Sequence, residues 1–192
     1  MCAGVVMLLD FTVRGIPTPA GSKSPAPVYA GSGADKHWTG KTRMIDGKLT
    51  PKSQQARKSW RGAVREAVAD AMTEITDGTG RDPFPLDYPL TVGMVFTFAR
   101  PATHFGTGRN RALVKASAPH APMGKPDLIK LVRAVEDEIT GAGLWRDDAR
   151  VVSYFRLAKV YVGDPLAMTA PGVRVAIRAH MPAIAAEQAA LL

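Results

Sequence analysis

Apolar and polar residues alternate strictly over Leu90, Val92, Met94, Phe96 and Phe98, and this period of two predicts a strand across 88–100 with one buried face. The run at 6–15, "VMLLDFTVRG", predicts another strand, ended by the Gly/Pro stretch that follows. Two further runs, 149–162 and 172–180, read as strands. The period changes at 50–76. There Trp60, Val64, Val68, Ala71 and Ile75 recur at three- and four-residue steps, with Thr50 as a cap and Pro51 in the first helical position, so a helix is expected. A second helix is predicted over 128–140, where Leu128, Val132, Val135 and Ile139 fall within about 60° of one another at 100° per residue, with Leu131 close by. Ile129 lies roughly 60–120° off that stripe, beside Arg133 and Glu136, so an isoleucine is expected on the polar face.

Between these periodic segments lie two stretches without a period. Residues 15–50 are rich in Gly, Pro, Ser and Lys and read as a long loop with a short hairpin at "TRMIDGKLT"; residues 101–124 read as a second basic loop. The order β–loop–α–β–loop–α–β–β predicts an α/β (α+β) fold. It consists of one domain over 1–180, with a mixed sheet of about four strands packed with two main helices, followed by a tail over 181–192 that forms a short Ala-rich helix or frays.

Charge changes the picture from fold to partner. The 192 residues carry a net charge of +8 and a pI of about 9.9. From Arg14 to Arg65 eleven Lys and Arg face two acids, Asp35 and Asp46, and that +9 exceeds the net charge of the whole chain. The first turns of the 50–76 helix are basic and its later part acidic, the wrong order for its own dipole, which points to a ligand at the basic end. A polyanionic partner, nucleic acid in particular, is expected. The single cysteine, Cys2, excludes an internal disulfide; no window resembles a signal peptide or a membrane span, and a cytoplasmic location is expected. His37, His104, His120 and His180 make no zinc spacing.

Carboxylates stand out on such a chain. Asp127 occupies a helix N-cap position, and Asp147 and Asp148 a turn before a strand; either place has an ordinary structural use for Asp. Taken together in a basic protein, they also suit Mg²⁺, which takes one or two protein carboxylates plus water and phosphate oxygens.

These segments carry a resemblance to the RusA family of Holliday junction resolvases, small endonucleases common in phages and prophages. "FTVRGIPTPAGSK" is similar to the family's opening strand and its "G-x-P-x-P-x-G-S-K" turn, and "FTFARP" to its second strand. "KPDLIKLVRAVEDEITGAGLWRDDARVV" resembles the signature in which "KPDxDxLxKAxxDAL" precedes "W-x-DDxQV". The resemblance implies a homodimer that resolves four-way junctions and other branched DNA in recombination and repair, with Mg²⁺ or Mn²⁺ and no small-molecule cofactor. Two nicks related by a two-fold axis suit a symmetric dimer. By position, Asp127 and Asp148 are the implied catalytic and metal-binding aspartates. Asp147 is a further implied ligand, and Arg133 the cation that offsets phosphate charge. Asp137 matches a family aspartate further along the helix and equally suits a solvated helix acid. Lys23, Lys41, Arg43, Lys52, Arg57, Lys58, Arg61, Lys125 and Lys130 are the expected DNA contacts, with Lys36 and Lys48 on the same loop.

One position departs from the pattern. The second signature aspartate, two residues after Asp127, is Ile129, which has no lone pair for a metal. The alternative expectation is therefore a junction-binding protein with weak or no cleavage. A generic DNA- or RNA-binding module is a third reading, disfavoured by the pairing of the two aspartate motifs.

Overall fold

The chain alternates as its pattern predicts. Strand β1 (Met7–Arg14) is followed by β2 (Lys23–Ala30), β3 (His37–Asp46) and helix α1 (Pro51–Thr79). Then come β4 (Leu90–Phe98), α2 (Leu128–Ala142), β5 (Val151–Tyr161) and β6 (Gly172–Ala179). The structure is a computed structural model that describes residues 7–21, 23–46 and 50–180. The expected tail at 181–192 lies outside the described residues.

Four strands form one mixed sheet in the order β1-β6-β4-β5. β4 and β5 are parallel and joined through α2; β6 runs antiparallel to both β1 and β4. β1 and β4 therefore point the same way on either side of β6, with α1 in the connection between them. Leu90, Val92, Met94 and Phe96 of β4 and Val173, Val175 and Ile177 of β6 are fully buried. They pack with Trp60, Val64 and Val68 of α1 and with Leu131, Val132, Val135 and Ile139 of α2. The expected mixed sheet with two helices is thus the observed fold, in two layers around one core.

The helix ends follow the sequence signals. The Thr50 hydroxyl accepts from the Ser53 N–H at 3.2 Å, Pro51 stands in the first turn, and Gly80 closes α1 in the left-handed region at φ 64°. Gly143 does the same for α2 at φ 81°. Between the helices, Glu138 of α2, 1% exposed, is ion-paired with Arg61 and Arg65 of α1.

The region expected to be a long loop differs. β2 and β3 form a two-stranded antiparallel ribbon from Lys23↔Asp46 to Ala30↔His37, so the hairpin begins well before 42–50, and residues 47–49 fall outside the described part. Pro25 and Pro27 hide β2 from a pattern reading. In a two-stranded ribbon each strand keeps an outer edge, where a missing N–H breaks no ladder bond. The second basic loop, 101–124, folds on itself. Arg100 stacks 4.4 Å from the Tyr161 ring centroid and donates to the Pro119 carbonyl, and Lys115 donates to the Thr103 carbonyl. Part of its positive charge is therefore used internally. Among the described residues no helix is long and apolar enough to cross a membrane.

Candidate functional site

The motif segments, far apart in sequence, meet along α2. The turn after β1 reaches its first turn, where the Ala20 N–H donates to the Lys130 carbonyl at 3.0 Å. Gly21 lies against Arg57 of α1; a Cβ there would sit 2.8 Å from the guanidinium. On the other side Lys159 of β5 donates to the carbonyls of Gly124 and Pro126, both at 2.9 Å, and ties down the segment that leads into α2. Lys159 was not singled out from sequence, because a lysine on a strand carries no motif signal.

Asp127 is the N-cap residue of α2, yet its side chain makes no capping hydrogen bond. It pairs instead with Lys130 at 3.0 Å, both half-exposed. Lys130 first, then Lys125 and Lys159, holds this carboxyl below the usual carboxylate range. The start of α2 thus gathers Lys125, Lys130 and Lys159 around one aspartate, with Arg57 against Gly21 of the neighbouring turn, an arrangement suited to a phosphate.

Farther along α2 the balance reverses. Arg133 is exposed and is followed on the same face by Glu136, which is 7% exposed. The Tyr154 hydroxyl of β5 donates to Glu136 Oε1. Burial raises the Glu136 carboxyl above its ordinary value; the charges of Asp148 and Asp137 push the same way, against the Tyr154 hydrogen bond and Arg133. The Tyr154 hydroxyl is itself raised by burial and by Glu136. The Asp148 charge thus reaches Glu136, which lies about 13 Å along the helix from Asp127 at 1.5 Å per residue. Glu136 was not predicted as a site residue: on the helix it reads as one more acid of the polar face, and only the strand and turn laid over it bury it.

The turn that presents Asp148 is anchored on every side. Trp145, 1% exposed, donates from its indole N–H to Thr140 Oγ1 at 2.7 Å, and Leu86 bridges to the backbone on either side of it. Asp87 accepts from Arg146 and Arg150, and these guanidiniums lower its carboxyl below the usual range. Asp147 accepts the Ala149 N–H at 2.8 Å, the turn role open to it from sequence. Asp148 is exposed, and among the described residues no hydrogen bond or ion pair occupies its carboxylate. Ile129 is 59% exposed, as its off-stripe position predicts.

The donor set fits Mg²⁺ at Asp148 better than at Asp127. The Asp148 charge acts on Glu136, offset in part by Tyr154 and Arg133, and leaves the Asp148 carboxylate open, while Asp127 is paired with Lys130 and Ile129 offers no donor. Among the described residues no three His, Cys, Asp or Glu side chains form a metal-binding group.

Of the expected DNA contacts, Lys52, Lys58, Lys125 and Lys130 are exposed, as are Lys41 and Arg43 on β3. Arg61 is engaged by Glu138. Lys23 lies on β2 with its side chain outside the described part, and Lys48 lies outside it altogether.

Glu136 makes a checkable pH statement. Its carboxyl titrates above the ordinary 4.5, so its ionisation costs stability; that cost is absent below the unfolded value and complete above the folded one. Glu136→Gln still accepts the Tyr154 hydroxyl. It is expected to be more stable than the parent at pH 7, with the advantage fading as pH falls to 4.5, read from urea midpoints across that range. No protein-family model matches the chain and no curated protein matches it, so the functional reading rests on these residues and their arrangement.

Proposed function

We propose that the protein is a RusA-type endonuclease that hydrolyses phosphodiester bonds in branched DNA, four-way junctions above all, as a homodimer with Mg²⁺ or Mn²⁺. The observation that carries this reading is the meeting of the "GIPTPAG" turn, the basic start of α1 and the two aspartate motifs along a single helix. In this reading Arg57, Lys125, Lys130 and Lys159 hold backbone phosphates beside Asp127, and Arg133 offsets charge that builds on the scissile phosphate. Asp148, with Asp147 and Glu136 beside it, would hold the metal, which when bound supplies a Lewis acid and a water of lowered pKa. Tyr154 keeps Glu136 in place by its hydrogen bond.

A second reading, junction binding with weak or no cleavage, is favoured by the exposed Ile129 and by the Lys130–Asp127 pair, which occupies the carboxylate next to it. One experiment separates the two. A labelled synthetic four-way junction is incubated with the protein and Mg²⁺, Mn²⁺ or EDTA. Metal-dependent paired nicking supports the enzyme; tight binding without nicking sinks it in favour of the binder. Ile129→Asp would put a second carboxylate beside Asp127, about 10 Å along α2 from Glu136, so a rise in nicking rate of roughly ten- to a hundredfold is expected where the metal sits at the start of α2, and no rise where it sits at Asp148. The exposed position should leave stability within about 0.5 kcal/mol. An unchanged rate in the folded variant would remove position 129 from the chemistry.

A further inference from the structure

Among the described residues, the β2–β3 ribbon contributes nothing to the core cluster and makes no substantial contact with any other strand or helix. An isolated two-stranded hairpin is marginal in water, so a surface pair of large aromatic residues on one needs a purpose. Tyr29 and Trp38 are register partners and therefore share a face, 51% and 59% exposed. The Trp38 indole N–H already donates to the Lys41 carbonyl at 3.3 Å, so what the ring offers outward is its π face. The Lys36 ammonium stands 5.0 Å from the Tyr29 ring centroid, and His37, Lys41 and Arg43 are exposed elsewhere on the same strand pair.

We infer that this ribbon is a stacking platform for unpaired bases, with Trp38 and Tyr29 as the stacking rings and Lys36, Lys41 and Arg43 holding the flanking phosphates. A cation set against one ring of the pair, with further exposed cations on the same ribbon, disfavours a protein interface core, which is depleted of charge, and favours a polyanion that carries flat apolar groups. In duplex DNA the base faces are hidden in the stack. They are open in single strands and at strand-exchange points, so the ribbon would select the branch point over the arms. The choice of DNA rests on the endonuclease reading above; the stacking chemistry does not.

Tryptophan emission tests this directly, because the other two tryptophans, Trp60 and Trp145, are 3% and 1% exposed. Short oligothymidylate and a four-way junction are expected to quench the exposed emission, and a blunt duplex to quench it much less. Trp38→Ala is expected to weaken oligothymidylate and junction binding by roughly five- to a hundredfold, and Trp38→Phe to restore most of it. Unquenched emission while the junction binds, or equal affinity of the alanine variant, overturns the proposal. So does an emission change that follows protein concentration without nucleic acid, which would mean that a second copy covers the ribbon. Quenching by oligothymidylate in a protein that never nicks junctions would keep the platform and discard the nuclease. Nicking with Trp38 indifferent would do the reverse.

Discussion

Asp148→Asn is expected to lower the rate of metal-dependent junction nicking by about 10²- to 10³-fold while leaving the fold intact. The size follows from the several kcal/mol that a bound metal contributes to transition-state charge stabilisation, at tenfold in rate per 1.4 kcal/mol. The selectivity follows from the structure. Asp148 is exposed and its carboxylate has no hydrogen bond or ion pair among the described residues, so Asn removes a charge and no structural contact. Its neighbour is the control. Asp147 accepts the Ala149 N–H, a role that Asn performs equally well, so Asp147→Asn should cost less in rate. Binding gives a third readout. Deleting a negative charge from a surface that holds phosphates should leave junction affinity equal or slightly tighter. A variant that melts early or loses affinity would show a structural role instead, and undiminished nicking would take Asp148 out of the site.

Much of this could be read from the chain because local pattern and tertiary outcome agree. β4 forms where predicted and buries Leu90, Val92, Met94 and Phe96, but as a central strand it also buries Gly93, Val95 and Thr97 on the face expected to be open; α1 starts at the predicted cap; α2 buries the predicted stripe and exposes Ile129. The ribbon was missed because Pro25 and Pro27 read as loop, and a strand with a free edge tolerates them. The site was half legible. Asp127 and Asp148 stand out by motif, but motif spacing does not say that Lys130 and Lys159 crowd the first or that the charge of the second reaches Glu136. Those facts depend on how β5 and its preceding turn lie across α2, which only packing decides. Glu138 shows the same limit. It looks like another solvated helix acid and is among the most buried side chains, because α1 crosses over it.

That crossing supplies the second large effect. Replacing both Arg61 and Arg65 with alanine is expected to cost about 3–5 kcal/mol of stability, because it strands a buried carboxylate. Against a typical total of about 5–15 kcal/mol, such a variant is close to unfolding. The single replacements should each cost far less than half of that, since the remaining guanidinium still meets Glu138 and both arginines are about half exposed. Replacing the acid instead leaves two arginines that reach water, so Glu138→Gln should also be milder than the double variant. Urea midpoints for the four proteins decide the matter; a double variant within about 1 kcal/mol of the parent would mean that Glu138 needs neither partner. The same comparison settles what Arg61 does. By charge and position it belongs with Lys52, Arg57 and Lys58 at the basic start of α1, but its guanidinium is turned to α2. At a temperature where all variants are folded, Arg61→Ala should therefore shift junction affinity and its salt dependence less than Lys58→Ala, whose side chain is exposed. Joining α1 to α2 is also what keeps the basic start of one helix beside the carboxylates of the other.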